Sequence, residues 1–172
     1  MLVNVFEALA FAAQKHRDQR RKDHVASPYI NHPIEVARAL VEVGGVTDLD
    51  VVRAAILHDT VEDTATTPEE LEARFGPRVA ELVMHVTDDK TLEKQERKRL
   101  QIEHAPHIPR EAQCIKLADK LSNVRDVLAN PPADWSDTRR AEYVAWAQDV
   151  IDGMRGANPA LEAEFDRVVS AG

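Results

Sequence analysis

Cysteine is almost missing from this chain: Cys114 stands alone among 172 residues. A single thiol excludes an internal disulfide and any CxxC metal knuckle, and it points to a reducing cytoplasm. Long apolar runs are missing too, since none approaches the roughly 20 residues that a membrane span needs. The opening stretch MLVNVFEALAFAAQKHR has no basic region ahead of its apolar residues, so it reads as a first helix and not as a signal peptide. There is no surplus of positive charge. Thirty acidic residues against 22 basic ones leave a formal charge of −8, which argues against a nucleic-acid or anionic-membrane binder. Glycine is scarce, with six residues beside nine prolines, and most of both fall between helical patterns.

What is present is a chain of one-domain length, 1–172, able to bury a core. Its 44% hydrophobic and 30% charged fractions are those of a globular protein. Apolar spacing predicts a helix over 2–16, with Val3, Phe6, Leu9 or Ala10, and Ala13 inward. Residues 17–31 have no period and read as a loop. Pro33 fits the first turn of a helix that Gly44-Gly45 stops. Further helices are expected over about 48–62, from a Thr67 capping box to Arg74, and from Pro77 to Val86. Others should cover 93–104, Pro109 to Leu128, Ser136 or Asp137 to Met154, and Asn158-Pro159 onward. No segment alternates at period two. The expectation is an all-α bundle of about nine helices.

The chemistry concentrates in His58-Asp59-Thr60-Val61-Glu62-Asp63. On one continuous helix, His58 and Glu62 would stand at i,i+4, as would Asp59 and Asp63. Carboxylates at a helix C-terminus are disfavoured by the macrodipole, so a cation should compensate them. The bland alternative is a solvated acidic helix end with His58 merely packed. A metal needs more ligands, and His32 and Asp119 are the candidates. Asp119 flanks an apolar stripe of Ile115, Leu121, Val124 and Leu128 and needs a partner there. Lys116 or Lys120 could supply one instead of a metal. Two imidazoles and two carboxylates make a mixed N/O site suited to Mn²⁺, Fe²⁺ or Zn²⁺. Such a site serves metal-assisted hydrolysis.

Basic residues cluster locally in this acidic chain. Lys15–Lys22 holds five basic residues and one acid, and Arg21 and Lys22 stand in a loop that could close over phosphates ahead of His32. Lys94, Arg97, Lys98 and Arg99 form a second group that Glu93 and Glu96 partly neutralise, as a solvated salt-bridge face would. Tyr143 is a position from which a phenol could reach a ligand. Trp146 reads as core, and His16, His24, His85, His104 and His107 receive no role.

In order along the chain, the motifs RRKD…SPYINHP (20–33), AAILHDTVEDT (54–64), FG (75–76), VTDDKTL (86–92), ERKRLQ (96–101), KLADKLSNVRD (116–126) and EYVAWAQDV (142–150) resemble one family. It is the HD-domain (p)ppGpp hydrolases of the RelA/SpoT type, and within it the stand-alone small alarmone hydrolases of the metazoan SpoT homologue group. The resemblance implies a compact bundle of about ten helices, with metal ligands at His32, His58, Asp59 and Asp119. It implies a catalytic acidic pair at Glu62 and Asp63, Mn²⁺ as the cofactor, and release of pyrophosphate from the 3′ position of ppGpp or pppGpp. It implies further that Arg21, Lys22, Asn123 and Tyr143 line the nucleotide pocket, with Lys94 and Arg139 near the phosphates.

Asp126 and the longer loop before PYI depart from the long bifunctional enzymes and match the small type. With nothing after residue 172, a purely degradative enzyme is expected. The alternatives are a phosphatase of NADPH or another nucleotide and, from another class, a catalytically dead alarmone-binding module. The partner expected is a small nucleotide, with no nucleic acid, no membrane and a possible homo-oligomer.

Overall fold

The computed structural model describes residues 2–172. Among them the chain forms ten α-helices and one short 3-10 turn, with a single isolated β-bridge. The helices are α1 (Leu2–Lys15), α2 (Asn31–Glu42), α3 (Leu49–Leu57), α4 (Thr60–Asp63), α5 (Pro68–Phe75), α6 (Pro77–Val86), α7 (Lys94–His104), α8 (Arg110–Ala129), α9 (Asp137–Asp152) and α10 (Pro159–Ala171). The 3-10 turn, Ala105–His107, links α7 to α8. No helix among the described residues is long and apolar enough to cross a membrane.

The all-α expectation holds, and the caps act as their residue types require. Thr67 accepts a hydrogen bond from the amide of Glu70, Ser136 from Arg139, and Asn158 from Leu161. Helix α8 is the axis of the fold. Ile115, Leu117, Ala118, Leu121 and Val124 are buried on it, and α2, α3, α6, α9 and α10 all pack against it. It is buried on most sides, so its buried residues extend well beyond the stripe that the spacing predicts. One continuous hydrophobic cluster runs from Ala8 on α1 to Phe165 on α10.

Two expectations need correction. The helix expected over 48–62 is broken at His58 and Asp59, between α3 and α4. The cause is local competition for carbonyls. His58 Nδ1 lies 2.8 Å from Ala55 O, and Thr60 Oγ1 donates to Leu57 O at 2.7 Å. A continuous helix would give those two carbonyls to the amides of Asp59 and Val61.

Secondly, α1 buries Ala8, Phe11 and Ala12, while Val3 and Phe6 are 64% and 66% exposed. The helix is apolar nearly all round, so spacing alone does not choose a face. The Phe11 ring chooses it by meeting Phe75 edge-on, with centroids 5.3 Å apart.

The segment expected as a loop, 17–31, is one up to the start of α2, and a few main-chain bonds pin it. Arg20 and Pro28 form the β-bridge, with Arg21 N donating to Ser27 O and Tyr29 N to Gln19 O.

Asn158 ties the last helix to the second. Its Nδ2 donates to Gly44 O at 2.9 Å while its Oδ1 caps α10 at Leu161 N. Asn158→Ala should lower stability by about 1–2 kcal/mol in urea unfolding. A loss below 0.5 kcal/mol, to order of magnitude, would show that neither bond matters.

Candidate active site

Four side chains meet where α2, the α3–α4 break and α8 converge. His32 lies in the first turn of α2, followed there by Pro33, whose missing N–H is one the first turn leaves unpaired anyway. Its Nε2 is 3.1 Å from Asp119 Oδ1 and 3.6 Å from Asp59 Oδ2. His58 Nε2 is 3.1 Å from Asp59 Oδ2 and 3.6 Å from Asp119 Oδ1. The break leaves His58 and Asp59 outside regular helix, with Asp59 as the N-cap residue of α4 making no side-chain cap bond. Its carboxylate is therefore free to turn toward the histidines.

The donor set fits a divalent ion. His58 Nε2 is buried without a hydrogen-bond partner, and bonding of Nδ1 to Ala55 O directs the proton to Nδ1 and the Nε2 lone pair toward the carboxylates. Ligand atoms of His32, His58 and Asp59 all lie within 4.8 Å of one another. Burial opposes a charge on His58, yet Asp59 and Asp119 outweigh it and raise its pKa well above 6.5. Burial likewise opposes the charge on Asp59, but His58 and His32 hold its pKa low. Positive charge is demanded at this point, and a metal ion can supply it in place of protons. Cys114, buried against Ala157 O, takes no part.

His32, His58, Asp59 and Asp119 line a cavity of about 300 Å³. Six cationic side chains, Lys22, Lys94, Arg97, Lys98, Lys116 and Lys120, share its walls with Asn123, Tyr143, Glu62 and Asp88. Glu62 is held by the Asp88 amide, which donates to Oε2 at 2.9 Å. Burial, reinforced by the charges of Asp59, Asp88 and Asp63, pushes its pKa up to about 7. Tyr143 stays a neutral phenol, its pKa pushed up to about 12 by burial.

The other residues named from the sequence are placed differently. Asp63 accepts from Gln19 Nε2 at 2.9 Å and pairs with Lys90. It lines an adjoining cavity of about 390 Å³, apart from Glu62. Arg21 also faces that adjoining cavity, paired with Asp126 and 3.4 Å from Asn123 Oδ1. Asn123 in turn donates to Asp119 Oδ1 at 2.7 Å, so its amide steadies a ligand. Arg139 lies over Trp135, 4.6 Å from the ring centre, in a groove on the outer side of Lys94 and Lys98. Lys120 does pair with Asp119, through Oδ2 at 3.0 Å. The lysine and the two histidines therefore meet opposite oxygens of one carboxylate.

Several residues went unread in the sequence. Tyr29 donates to Asp59 Oδ2 at 2.6 Å, and its ring lies between those of His16 and His32. His16 is 2% exposed, with Nδ1 2.7 Å from Gln19 Oε1. Gln19 thereby links His16 to Asp63. Trp146, read as core, lines the cavity between Lys98 and Lys120, whose Nζ atoms are 4.7 and 4.8 Å from its ring centre. The one signal for Tyr29 is its place three residues before His32, one helical turn away.

The pattern of the HD domain matches residues 8–148, a span that includes His32, His58, Asp59 and Asp119. The chain belongs to the HD-domain family. Among HD-domain relatives, a Xenopus tropicalis protein named guanosine-3′,5′-bis(diphosphate) 3′-pyrophosphohydrolase MESH1 is 56% identical over 164 residues, covering 95% of this chain and 92% of that one. The human protein of the same name is 56% identical over 158 residues, 92% and 88% of the two chains. A solved HD-domain structure, described as a metazoan orthologue of SpoT that hydrolyses ppGpp and plays a role in starvation responses, superposes with a TM-score of 0.95. It is 50% identical and covers 98% of this chain and 94% of its own. The resemblance carried by the motifs is borne out.

The raised pKa of Glu62 has a cost in this HD-domain protein. A carboxyl raised from 4.5 to about 7 binds more protons folded than unfolded in that window, so stability falls as pH rises through it. Glu62→Gln removes the penalty while keeping an acceptor for the Asp88 amide. Metal-free Glu62→Gln should therefore exceed wild type by about 1–3 kcal/mol above pH 7 and match it below pH 4.5. Urea melts at pH 4 and pH 8 check this; a gain of equal size at both would refute it.

Proposed function

We propose that this chain is a metal-dependent 3′-pyrophosphohydrolase of guanosine tetra- and pentaphosphate, working in a reducing cytoplasm. The observation that carries the reading is the unpartnered Nε2 of His58 among His32, Asp59 and Asp119, in a cavity lined by six cations. A chain of net charge −8 concentrates positive charge there, as a polyphosphate ligand requires. The HD-domain relatives at 56% identity carry that activity in their names.

His32, His58, Asp59 and Asp119 would hold the ion, and Mn²⁺ suits two nitrogens and two oxygens without thiolate. Bound there, it supplies Lewis-acid polarisation of the phosphoryl group. Tyr29 orients Asp59, and Asn123 and Lys120 orient Asp119. Hydrolysis takes one proton from water and returns one to the departing ribose oxygen. Glu62 is the group for both transfers: its Oε2 is fixed by the Asp88 amide, and its pKa of about 7 lets the carboxyl hold or release a proton near neutrality. Asp63, held by Gln19 and Lys90, sits beside the route along which Arg21 and Lys22 meet the nucleotide. Lys94 and Tyr143 would hold phosphate oxygens within the cavity, with Arg139 at its outer edge.

Chelation should abolish ppGpp hydrolysis, and Mn²⁺ should restore it best among divalent ions. Asp119→Ala should lose metal, whereas Glu62→Gln should keep it and lose about 10²–10⁴ in rate. Metal content and turnover measured together decide both points, and full activity after chelation would end the metal reading.

Lys22→Ala should raise KM for ppGpp about tenfold or more with little change in kcat. Arg21→Ala, whose guanidinium is already spent on Asp126, should do so less. NADPH belongs beside ppGpp in that assay, since faster turnover of its 2′-phosphate would replace the guanosine assignment.

A further inference from the structure

The catalytic cavity extends two ways. On one side it shares Lys22, Tyr29, Asn123, Trp135 and Tyr143 with the adjoining cavity that holds Arg21 and Asp63. On the other it shares Asp88, Arg97, Gln101 and Lys116 with a smaller cavity of about 190 Å³. The two extensions have no lining residue in common. One is roomy enough for a nucleoside, and the other is small, with Arg97 and Lys116 standing where it meets the catalytic cavity.

The junction with the small cavity holds donors that the fold leaves unsatisfied. Lys116 is 7% exposed, and only more distant charges, with no hydrogen bond, act on its ammonium among the described residues. Burial pushes its pKa down to about 8, with Lys120 adding to the effect. Arg97 Nε is buried without a partner. Its neighbour Arg99 takes Glu96 and Glu103 on the outer face of α7, which leaves Arg97 turned inward. Asp88, the acid at the junction, has its Oδ2 taken by Gln101 Nε2 at 2.5 Å. A buried ammonium and a buried guanidinium nitrogen without partners are costly unless an anion completes them.

A 3′-pyrophosphate ester presents two phosphoryl groups in a row. With the inner one at the metal ligands and the nucleoside in the larger extension, the outer one points toward the small extension. We infer that Lys116 and Arg97 form a subsite for the terminal phosphate of a pyrophosphoryl group, and hold inorganic pyrophosphate as it leaves. The direction of the substrate rests on the proposed function; the anion site itself does not. Such a subsite makes the enzyme select a pyrophosphate ester over a monophosphate ester, because only the former reaches both donors.

The test titrates metal-loaded protein with inorganic pyrophosphate, supplied as its complex with the same cation, by calorimetry. Lys116→Met and Arg97→Met should each weaken binding about ten- to a hundredfold, and Lys22→Met less than threefold. Lys116→Met removes a buried charge and is expected to fold with a higher Tm, a direction that a purely structural lysine would reverse. In turnover, both variants should raise KM for guanosine 5′-diphosphate 3′-diphosphate and leave it unchanged for the 3′-monophosphate analogue. Pyrophosphate binding within threefold of wild type in both variants, or an equal loss in Lys22→Met, overturns the subsite. If wild type hydrolyses neither nucleotide but the titration behaves as expected, the subsite stands and the proposed function falls.

Discussion

Two carboxylate oxygens and two imidazole nitrogens are forced to within 3.1–3.6 Å of one another across four contacts. Most of the helix arrangement is what it takes to keep them there. Like charges so close repel, and each of the four is largely removed from water. Only positive charge among them makes the arrangement tolerable. The four side chains come from α2, from the α3–α4 break and from α8, so the site exists only once three separate parts of the chain have packed. The central burial of α8 is thus a functional requirement as much as a hydrophobic one. It fixes Asp119 against the core while Asn123, one turn on, and Lys120, next in sequence, brace the same carboxylate.

Charge is partitioned sharply around that centre. The acidic surplus lies on outer faces, where Arg38, Arg99, Arg155 and Arg167 are tied up in short-range pairs with neighbouring acids. Of the six cations facing the cavity, Lys120 alone has an acid partner among the described residues, Asp119. Lys98 rests on Trp146, which lets its ammonium sit in a partly dry space without being neutralised, and Lys120 meets the same ring. A carboxylate in the same position would cancel the attraction for a phosphate.

The meeting of four side chains was legible because each disturbs a helical pattern: His32 at a start, His58 and Asp59 at an end, Asp119 beside an apolar stripe. Helix boundaries were legible wherever a cap residue or proline marks them, as at Thr67, Pro77, Ser136 and Asn158. The α3–α4 break was not, because it depends on His58 and Thr60 outcompeting main-chain amides, and no propensity encodes that competition. Nor was the divergence of Glu62 and Asp63. Adjacent residues on a one-turn helix face different directions, and only the surrounding elements decide what each meets. Lys116 looked able to snorkel toward Asp119, yet it lines the cavity without a hydrogen bond to any acid, and only the packing around α8 decides which way it turns. The network of His16, Gln19 and Tyr29 lies in a stretch without periodicity, where only tertiary contact reveals a role.

The chain contains two tryptophans, and both Trp135 and Trp146 line the catalytic cavity. Its entire indole emission therefore originates at the site. One ring is flanked by two ammonium groups and the other by a guanidinium, and the emission energy of an indole follows the electric field across it. Occupancy of the cavity is written into the colour of the protein's own fluorescence, with no label and no background from elsewhere in the fold.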